Sequence, residues 1–558
     1  MGSSTNPSTE LARAVVTALV EGGVREVVLA PGSRNAPLSF AVLDAERAGL
    51  LRLHTRIDER SAGFLALGLT KTGSRAAVMC TSGTAVANLH PAVLEAAHAG
   101  VPLLVVSADR PARLRGTGAN QTTEQVGIFG GLVGTHDIAT PADLAAPAAA
   151  LAETAAGLAA GPAHWNIQLD DPLTPTDRWA VPSGLTAAAR PTGAPPRPDE
   201  EALLAAILDG RRTVVVAGDD AGPLARVLAE RSGSPLLAEP SSGARTGTHA
   251  LRTYRLLLGS DLADRIERVV VLGHPTLSRP VARLLARGDV EILAVPTRGV
   301  WPTPSHRVDG WLDGDAAPTR AGRRPESTVA AGWLEEWQEA DRSVAGQLDR
   351  LLAAEEGLTP LEVVGAVARA LPPGGQLVVG ASNPIRDLDL MVPRPGADGW
   401  AVGARRKVLA SRGLAGIDGL VSTAIGAALG RDSSRDLALT GDVTFLHDAN
   451  GLILGPDEPR PDLTIVVVND DGGSIFATLE QGDPTYADAF ERLFGTPHGV
   501  DLAALCAATR TPHLKVTSLP ELEQALASPN GGIEVIEAVV GRADRRGLEE
   551  RIRALRPG

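Results

Sequence analysis

What most constrains this chain is an alternation that occurs three times along it. Short β-branched apolar runs ending in Gly, Ser, Asp or Asn are each followed by an Ala/Leu-rich stretch of helical character. Such a pattern belongs to parallel βαβ units. Strands are predicted over residues 24–30, 51–57, 76–80 and 102–107 in the first third and over 213–217, 269–272 and 291–295 in the middle. The last third predicts strands over 376–379, 437–440, 463–468 and 533–539. Helices are predicted over 61–70, over 85–99 and over 332–354. The hydroxyls of Thr81-Ser82-Gly83-Thr84 are expected to cap free N–H groups of the second of these. With 558 residues and roughly 150 residues per domain, the economical fold is α/β, three doubly wound parallel-sheet domains.

Composition places the boundaries and excludes several classes. Residues 181–199 (VPSGLTAAARPTGAPPRPD) carry Pro, Gly and Ala without periodicity, and residues 313–326 are similarly poor in structural signals. The chain is thereby divided into a first domain over 1–182, a linker over 183–200, a central domain over 201–350 and a third domain over 351–558. A net charge of -13, from 53 basic and 66 acidic residues, argues against nucleic acid as a partner. Cys80 and Cys506 are far apart in sequence with no second pair, so neither a disulfide framework nor a zinc site is expected. Met1 to Glu10 lacks the charged start and apolar core of a signal peptide, and no run of about 18 apolar residues occurs. The expectation is a cytoplasmic protein with no transmembrane segment.

In open parallel sheets ligands sit beyond the carboxyl ends of the strands, and two neighbouring strand ends carry related chemistry. Gly441-Asp442-Val443 follows one, and Asn469-Asp470-Asp471-Gly472-Gly473 follows the next. Oxygen donors suit a hard divalent cation, Mg²⁺ taking one or two carboxylates together with phosphate oxygens and water. Glycine there lets a diphosphate approach the backbone. The pair resembles the metal–diphosphate motif of thiamine diphosphate (ThDP) enzymes, GDG followed by NN, with Val443 at the last Gly and Asp470 at the second Asn. By register Asp442, Asp470 and the carbonyl of Gly472 match that motif's metal ligands, with Asn469 the alternative to Asp470.

Another carboxylate, Glu59 of Arg56-Ile57-Asp58-Glu59-Arg60, lies at the end of a predicted strand in the first domain. Arginines recur at strand ends and in their loops, beside Gly and Ser. Guanidinium groups pair bidentately with carboxylates, so a pocket built from several of them suits a polyanionic substrate. Along nearly the full length, in this order, PGSRNAPL, RIDERSAGF, TSGTAVANL, SADRP, GTGANQT, GASNPIRD, SRGLAGIDG and NDDGGSIF occur. Together they resemble the 2-succinyl-5-enolpyruvyl-6-hydroxy-3-cyclohexene-1-carboxylate (SEPHCHC) synthase family, ThDP-dependent enzymes of menaquinone biosynthesis.

The resemblance implies the ThDP-binding fold, with a pyrimidine-binding first domain and a diphosphate-binding third domain. It implies that Glu59 is the activating glutamate, its carboxylate hydrogen-bonded to the aminopyrimidine so that the thiazolium C2 proton is lost. Implied cofactor contacts are Glu59, Ser382, Ile417, Asp442, Asn469, Gly472 and Ile475, with Ile417 the apolar wedge that bends ThDP. Implied substrate contacts are Ser33, Arg34, Arg110, Asn120, Gln121, Arg279, Ser382, Arg386, Arg412 and Phe476. The metal would be Mg²⁺, with Mn²⁺ as a substitute, on Asp442, Asp470 and Gly472. The implied reaction decarboxylates 2-oxoglutarate and adds the resulting succinyl carbanion equivalent to isochorismate, in a homodimer at least and by family a dimer of dimers. Another ThDP-dependent 2-oxo acid decarboxylase, or an acetolactate-type carboligase, is the alternative, and the arginine set argues against it. A non-catalytic scaffold would need neither Glu59 nor Asp442. Residues 217–222 fail the G-x-G-x-x-G fingerprint, so bound FAD is not expected, and His54, His90 and His98 read as incidental.

Overall fold

The computed structural model describes residues 6–155, 161–186, 200–300, 304–312, 330–393 and 400–558. Its strands form three all-parallel sheets, as the α/β reading expects. The first contains β1 (Glu26–Leu29), β2 (Arg52–Thr55), β3 (Ala76–Cys80), β4 (Leu104–Asp109), β5 (Gly134–Ile138) and β6 (Ala163–Gln168), in the order β2-β1-β3-β4-β6-β5. The second contains β7 (Thr213–Ala217), β8 (Leu236–Ala238), β9 (Arg268–Leu272), β10 (Glu291–Ala294) and β11 (Gly310–Trp311), in the order β11-β10-β9-β7-β8. The third contains β12 (Gln376–Val379), β13 (Lys407–Ala410), β14 (Asp436–Gly441), β15 (Leu463–Asn469), β16 (His513–Val516) and β17 (Ile533–Val539), in the order β13-β12-β14-β15-β17-β16. Counted within each sheet, the first and third share one strand order. Each therefore has a switch point between its first and third strands, where a crevice opens at the carboxyl ends. The interior strands β1, β3, β4 and β12 are buried along their whole length, as a sheet covered on both faces requires.

The structure corrects several expectations. The helix predicted over 85–99 is two helices, Thr84–Asn88 and His90–His98. Pro91 has no N–H to continue the ladder, so the chain restarts before it. The hydroxyls of Thr81 to Thr84 do not cap the first of them: the N-cap is Gly83, whose N–H donates to Gln125 Oε1 at 2.9 Å. Ser82 Oγ instead accepts from Arg110 Nη1. Strands β5, β6, β8, β11, β13 and β16 lie outside the predicted set. Residues 187–199 of the predicted linker, and all of 313–326, lie outside the described residues. No helix among the described residues is long and apolar enough to cross a membrane.

Among the contacts that hold the domains in register, a helix pair and a buried ion pair stand out. The helix Glu59–Lys71 of the first domain, buried from Ser61 to Thr70, lies on the helix Leu420–Gly430 of the third. Glycine permits the approach: a Cβ on Gly426 would stand 2.1 Å from the Leu65 carbonyl oxygen, and one on Gly68 2.1 Å from that of Thr423. Gly426→Ala is therefore expected to push the helices apart and lower stability by about 1–3 kcal/mol, read as a lower denaturant midpoint. An unchanged midpoint would show that the helices have room to spare. The central domain is tied to the third by a buried ion pair. Arg245 Nη1 donates to Asp389 Oδ1 at 2.6 Å, and the Tyr254 hydroxyl donates to the same oxygen at 2.9 Å.

Candidate functional site

The switch point of the third sheet carries a cavity of 140 Å³ whose lining includes Ser382, Ile417, Asp442, Asp470, Gly472, Ile475 and Phe476. Three strand ends build it: Ser382 follows β12, Asp442 follows β14 and Asp470 follows β15. Asp442 is buried, its Oδ1 accepting from the Val443 N–H at 2.7 Å and its Oδ2 from the Gly472 N–H at 2.8 Å. Gly472 sits at φ +143°, and a Cβ there would lie 2.1 Å from the Gly495 carbonyl oxygen, so the loop needs glycine at this position. Burial pushes the Asp470 carboxyl up to about 6, against a hydrogen bond from Ser474 and with the Asp442 charge adding to the rise. Asn469 faces elsewhere: its Nδ2 donates to Glu537 Oε1 at 2.7 Å and its Oδ1 accepts from the Asp471 N–H at 3.0 Å. Ser382, at φ +70°, precedes the nine-residue helix Asn383–Met391, and Asn383 Nδ2 donates to Ser474 Oγ at 2.8 Å. Free N–H groups at that helix start, two carboxylates and a glycine loop are the donor set that a metal-bound diphosphate takes.

A larger cavity of 630 Å³ opens beside this one, between the central and third domains, and shares Asn383, Asp387 and Ile475 with it. Arg279 and Arg386 line it. Arg386 Nη1 donates to the Ser382 carbonyl at 2.6 Å. Burial holds its pKa below the ordinary arginine value, and the like charges of Arg412, Arg255 and Arg279 push the same way. Arg412 is buried beside it, its Nη2 donating to the Thr276 carbonyl at 3.0 Å and to Thr276 Oγ1 at 2.9 Å. It does not line the cavity. Arg279 is largely exposed and paired with Glu480 at 2.7 Å.

The first-domain residues gather at the corresponding switch point of their own sheet. Arg110 Nη1 donates to Ser82 Oγ and to the Gln121 carbonyl, each at 2.5 Å, and Gln121 Nε2 donates to the Ser82 carbonyl at 2.9 Å. Burial, then the charge of Arg34, lowers the Arg110 pKa. Arg34 Nη1 donates to the Leu169 carbonyl at 3.0 Å, while Ser33 and Asn120 are exposed. Glu59 heads its helix, half-buried, and accepts from Asn88 Nδ2 at 3.3 Å. None of these residues lines the two third-domain cavities of the same chain. The structure thus brings the predicted residues together as two groups, not one.

Two functional candidates have no signal in the sequence. His498 Nε2 lies 3.1 Å from Asp442 Oδ2, and its Nδ1 accepts from the Val500 N–H at 3.0 Å, so the ring donates to the carboxylate. Arg545, on the last helix, donates through Nη2 to Asp387 Oδ1 at 2.6 Å. Both come from segments without a motif, brought in by tertiary folding.

The fold, the paired switch points and the carboxylate–glycine cavity define a thiamine diphosphate enzyme, and residues 9–128 match the family described as "Thiamine pyrophosphate enzyme, N-terminal TPP binding domain". The relatives are more specific. A 2-succinyl-5-enolpyruvyl-6-hydroxy-3-cyclohexene-1-carboxylate synthase of a Nocardioides species is 66% identical over 555 residues, covering 99% of this chain and 98% of the relative. Synthases of the same name from Kineococcus radiotolerans and Nocardia farcinica are each 47% identical, covering 98% of this chain and 99% of the relative. The chain belongs to the SEPHCHC synthase family and is a ThDP-dependent enzyme of that type.

Proposed function

We propose that the chain decarboxylates 2-oxoglutarate and adds the succinyl fragment in conjugate fashion to isochorismate, yielding SEPHCHC for menaquinone biosynthesis, as a cytoplasmic homodimer or dimer of dimers that uses Mg²⁺. The observation that carries this reading is the contiguity of the two cavities, one bearing the paired carboxylates and the other the arginines. ThDP, when bound, supplies a nucleophilic carbon and an electron sink for the departing carboxylate. Asp442, Asp470 and the Gly472 carbonyl would hold Mg²⁺, the two carboxylates and the carbonyl being oxygen donors of the kind a hard cation takes. Ile417, Ile475 and Phe476 would give an apolar wall to the cofactor, and Ser382, at the start of its helix, would face the diphosphate. Glu59 would accept a hydrogen bond from the cofactor's pyrimidine and favour its reactive tautomer. Four substrate carboxylates need cationic partners; Arg279 and Arg386 line the larger cavity and would supply two of them, and Arg412, buried outside that lining, would have to turn from Thr276 to join them. Ser33, Arg34, Arg110, Asn120 and Gln121 complete the set from the first domain. That none of them lines these two cavities in their own chain is what a second copy facing each site would account for.

The test is isochorismate consumption by purified protein with 2-oxoglutarate, ThDP and Mg²⁺, each component being left out in turn. Consumption that needs all of them is expected. Release of CO₂ from 2-oxoglutarate at an equal rate without isochorismate would replace this reading with that of a simple decarboxylase.

A further inference from the structure

We propose that the 630 Å³ cavity between the central domain and the last helix is an access channel for dicarboxylates, an arginine-walled route that collects dianions and passes them to the ThDP site. This rests on the functional reading above and deepens it. Two helices contribute the walls. On Arg279–Leu285, Arg279 and Arg283 are spaced one turn apart and so share a face. On Arg545–Arg553, Arg545, Glu549 and Arg553 repeat the same spacing, and Arg556 follows.

The charges of the lining do not cancel. Arg279 pairs with Glu480 at 2.7 Å, Arg287 with Asp289 at 2.6 Å, Arg545 with Asp387 at 2.6 Å and Arg553 with Glu549 at 2.9 Å, while Arg255 lies 4.0 Å from Asp389. Among the described residues no carboxylate lies within 4.0 Å of the guanidinium nitrogens of Arg283, Arg386 or Arg556. Asp389 is already held by Arg245 at 2.6 Å, so Arg255 joins these three as a cation without a carboxylate of its own. Against these four the lining holds one acid outside the pairs, Asp264, which leaves a surplus of positive charge that suits a dianion.

The wall also holds a buried cation with unused donors. The Arg545 side chain is 4% exposed, one nitrogen is taken by Asp387, and Nε and Nη1 have no acceptor. It stands beside Asp387, one of the residues the two cavities share. Within this lining Arg283 and Arg556 are exposed and Arg545 is buried, while the Arg386 guanidinium is bonded to the carbonyl of Ser382, which lines the smaller cavity. A cleft with one sign of charge and low-dielectric walls focuses its field and raises the local concentration of the opposite ion.

Arg283 and Arg556 lie outside the catalytic machinery, so a double Arg283→Gln, Arg556→Gln variant of the ThDP-loaded, full-length enzyme is the probe. Its kcat/KM for 2-oxoglutarate and for isochorismate is measured from low salt to about 0.3 M, where the Debye length has shrunk to a few ångströms. The expected result is a fall of about 10-fold in kcat/KM at low salt, with kcat unchanged and the deficit closing as salt rises. The matching pair of Arg→Lys substitutions, which keeps the charge, should stay near wild type. Equal kcat/KM and an equal salt slope in the Gln variant would overturn the channel, as would a loss of kcat at every salt with ThDP still bound. If the double variant fails to fold, Arg556→Gln alone, beyond the last helix, reads the same slope. Failure of the wild-type enzyme to consume either dicarboxylate would defeat the functional reading itself.

Discussion

A Glu59→Gln enzyme is expected to fold, to bind ThDP and to lose turnover by about 10²–10⁴-fold, the range that a positioned acid–base group contributes. The side chain heads the helix Glu59–Lys71 and is half-buried, with a hydrogen bond from Asn88 Nδ2 at 3.3 Å. Gln fills the same volume, keeps an oxygen for Asn88 and leaves no partner charge buried alone, so the fold has little to lose. In the function proposed for this site, what disappears is the carboxylate charge that would favour the reactive tautomer of the pyrimidine. The helix is anchored independently: Arg60 Nη2 donates to the His447 carbonyl at 2.6 Å, and Asn450 Nδ2 donates to Asp58 Oδ2 at 3.1 Å. Exchange of the cofactor C2 proton for deuterium, followed with isochorismate consumption, separates activation from later steps. Both should slow together. Near-normal exchange in the variant would remove Glu59 from the role of activating carboxylate.

The reach of the sequence reading follows from burial. Strands such as β1, β3, β7 and β12 are covered on both faces and read as continuous apolar runs. Five of the six unread strands, β5, β8, β11, β13 and β16, are sheet edges, where the sequence turns polar or the strand is very short: GTHDI in β5, HLKV in β16, LLA in β8. The sixth, β6, is hidden by chemistry. Its His164 and Asn166 are buried in a polar network, His164 Nε2 lying 2.7 Å from Ser107 Oγ and Asn166 Nδ2 donating to Asp109 Oδ2 at 2.9 Å. The candidate site residues follow the same logic. Asp442 and Asp470, directly after the apolar strands β14 and β15, draw notice in the sequence because strand ends at a switch point are where ligands bind, whereas Ser382 is marked only by the family resemblance. His498 and Arg545 reach the site from loops and the last helix, and no local spacing announces them.

The sequence alone leaves Asp470 and Asn469 as rivals for the second side-chain ligand, and the structure turns that choice into unequal expected losses. Asp470→Ala should weaken Mg²⁺ binding in the presence of ThDP by more than about 100-fold, because it deletes one of the two carboxylates that a hard cation draws on. Asn469→Ala should cost about 10-fold, the lower end for a residue that only orients a ligand. The reason is that the Asn469 amide is already committed, its Nδ2 to Glu537 and its Oδ1 to the Asp471 N–H, whereas Asp470 lines the cavity. Asp470→Asn should fall between the two, since it keeps an oxygen and gives up the charge. Calorimetric titration of Mg²⁺ into the ThDP-containing protein ranks all three without relying on turnover. A larger loss in Asn469→Ala than in Asp470→Ala would mean that the loop rearranges on loading, with the amide leaving Glu537 to take the metal.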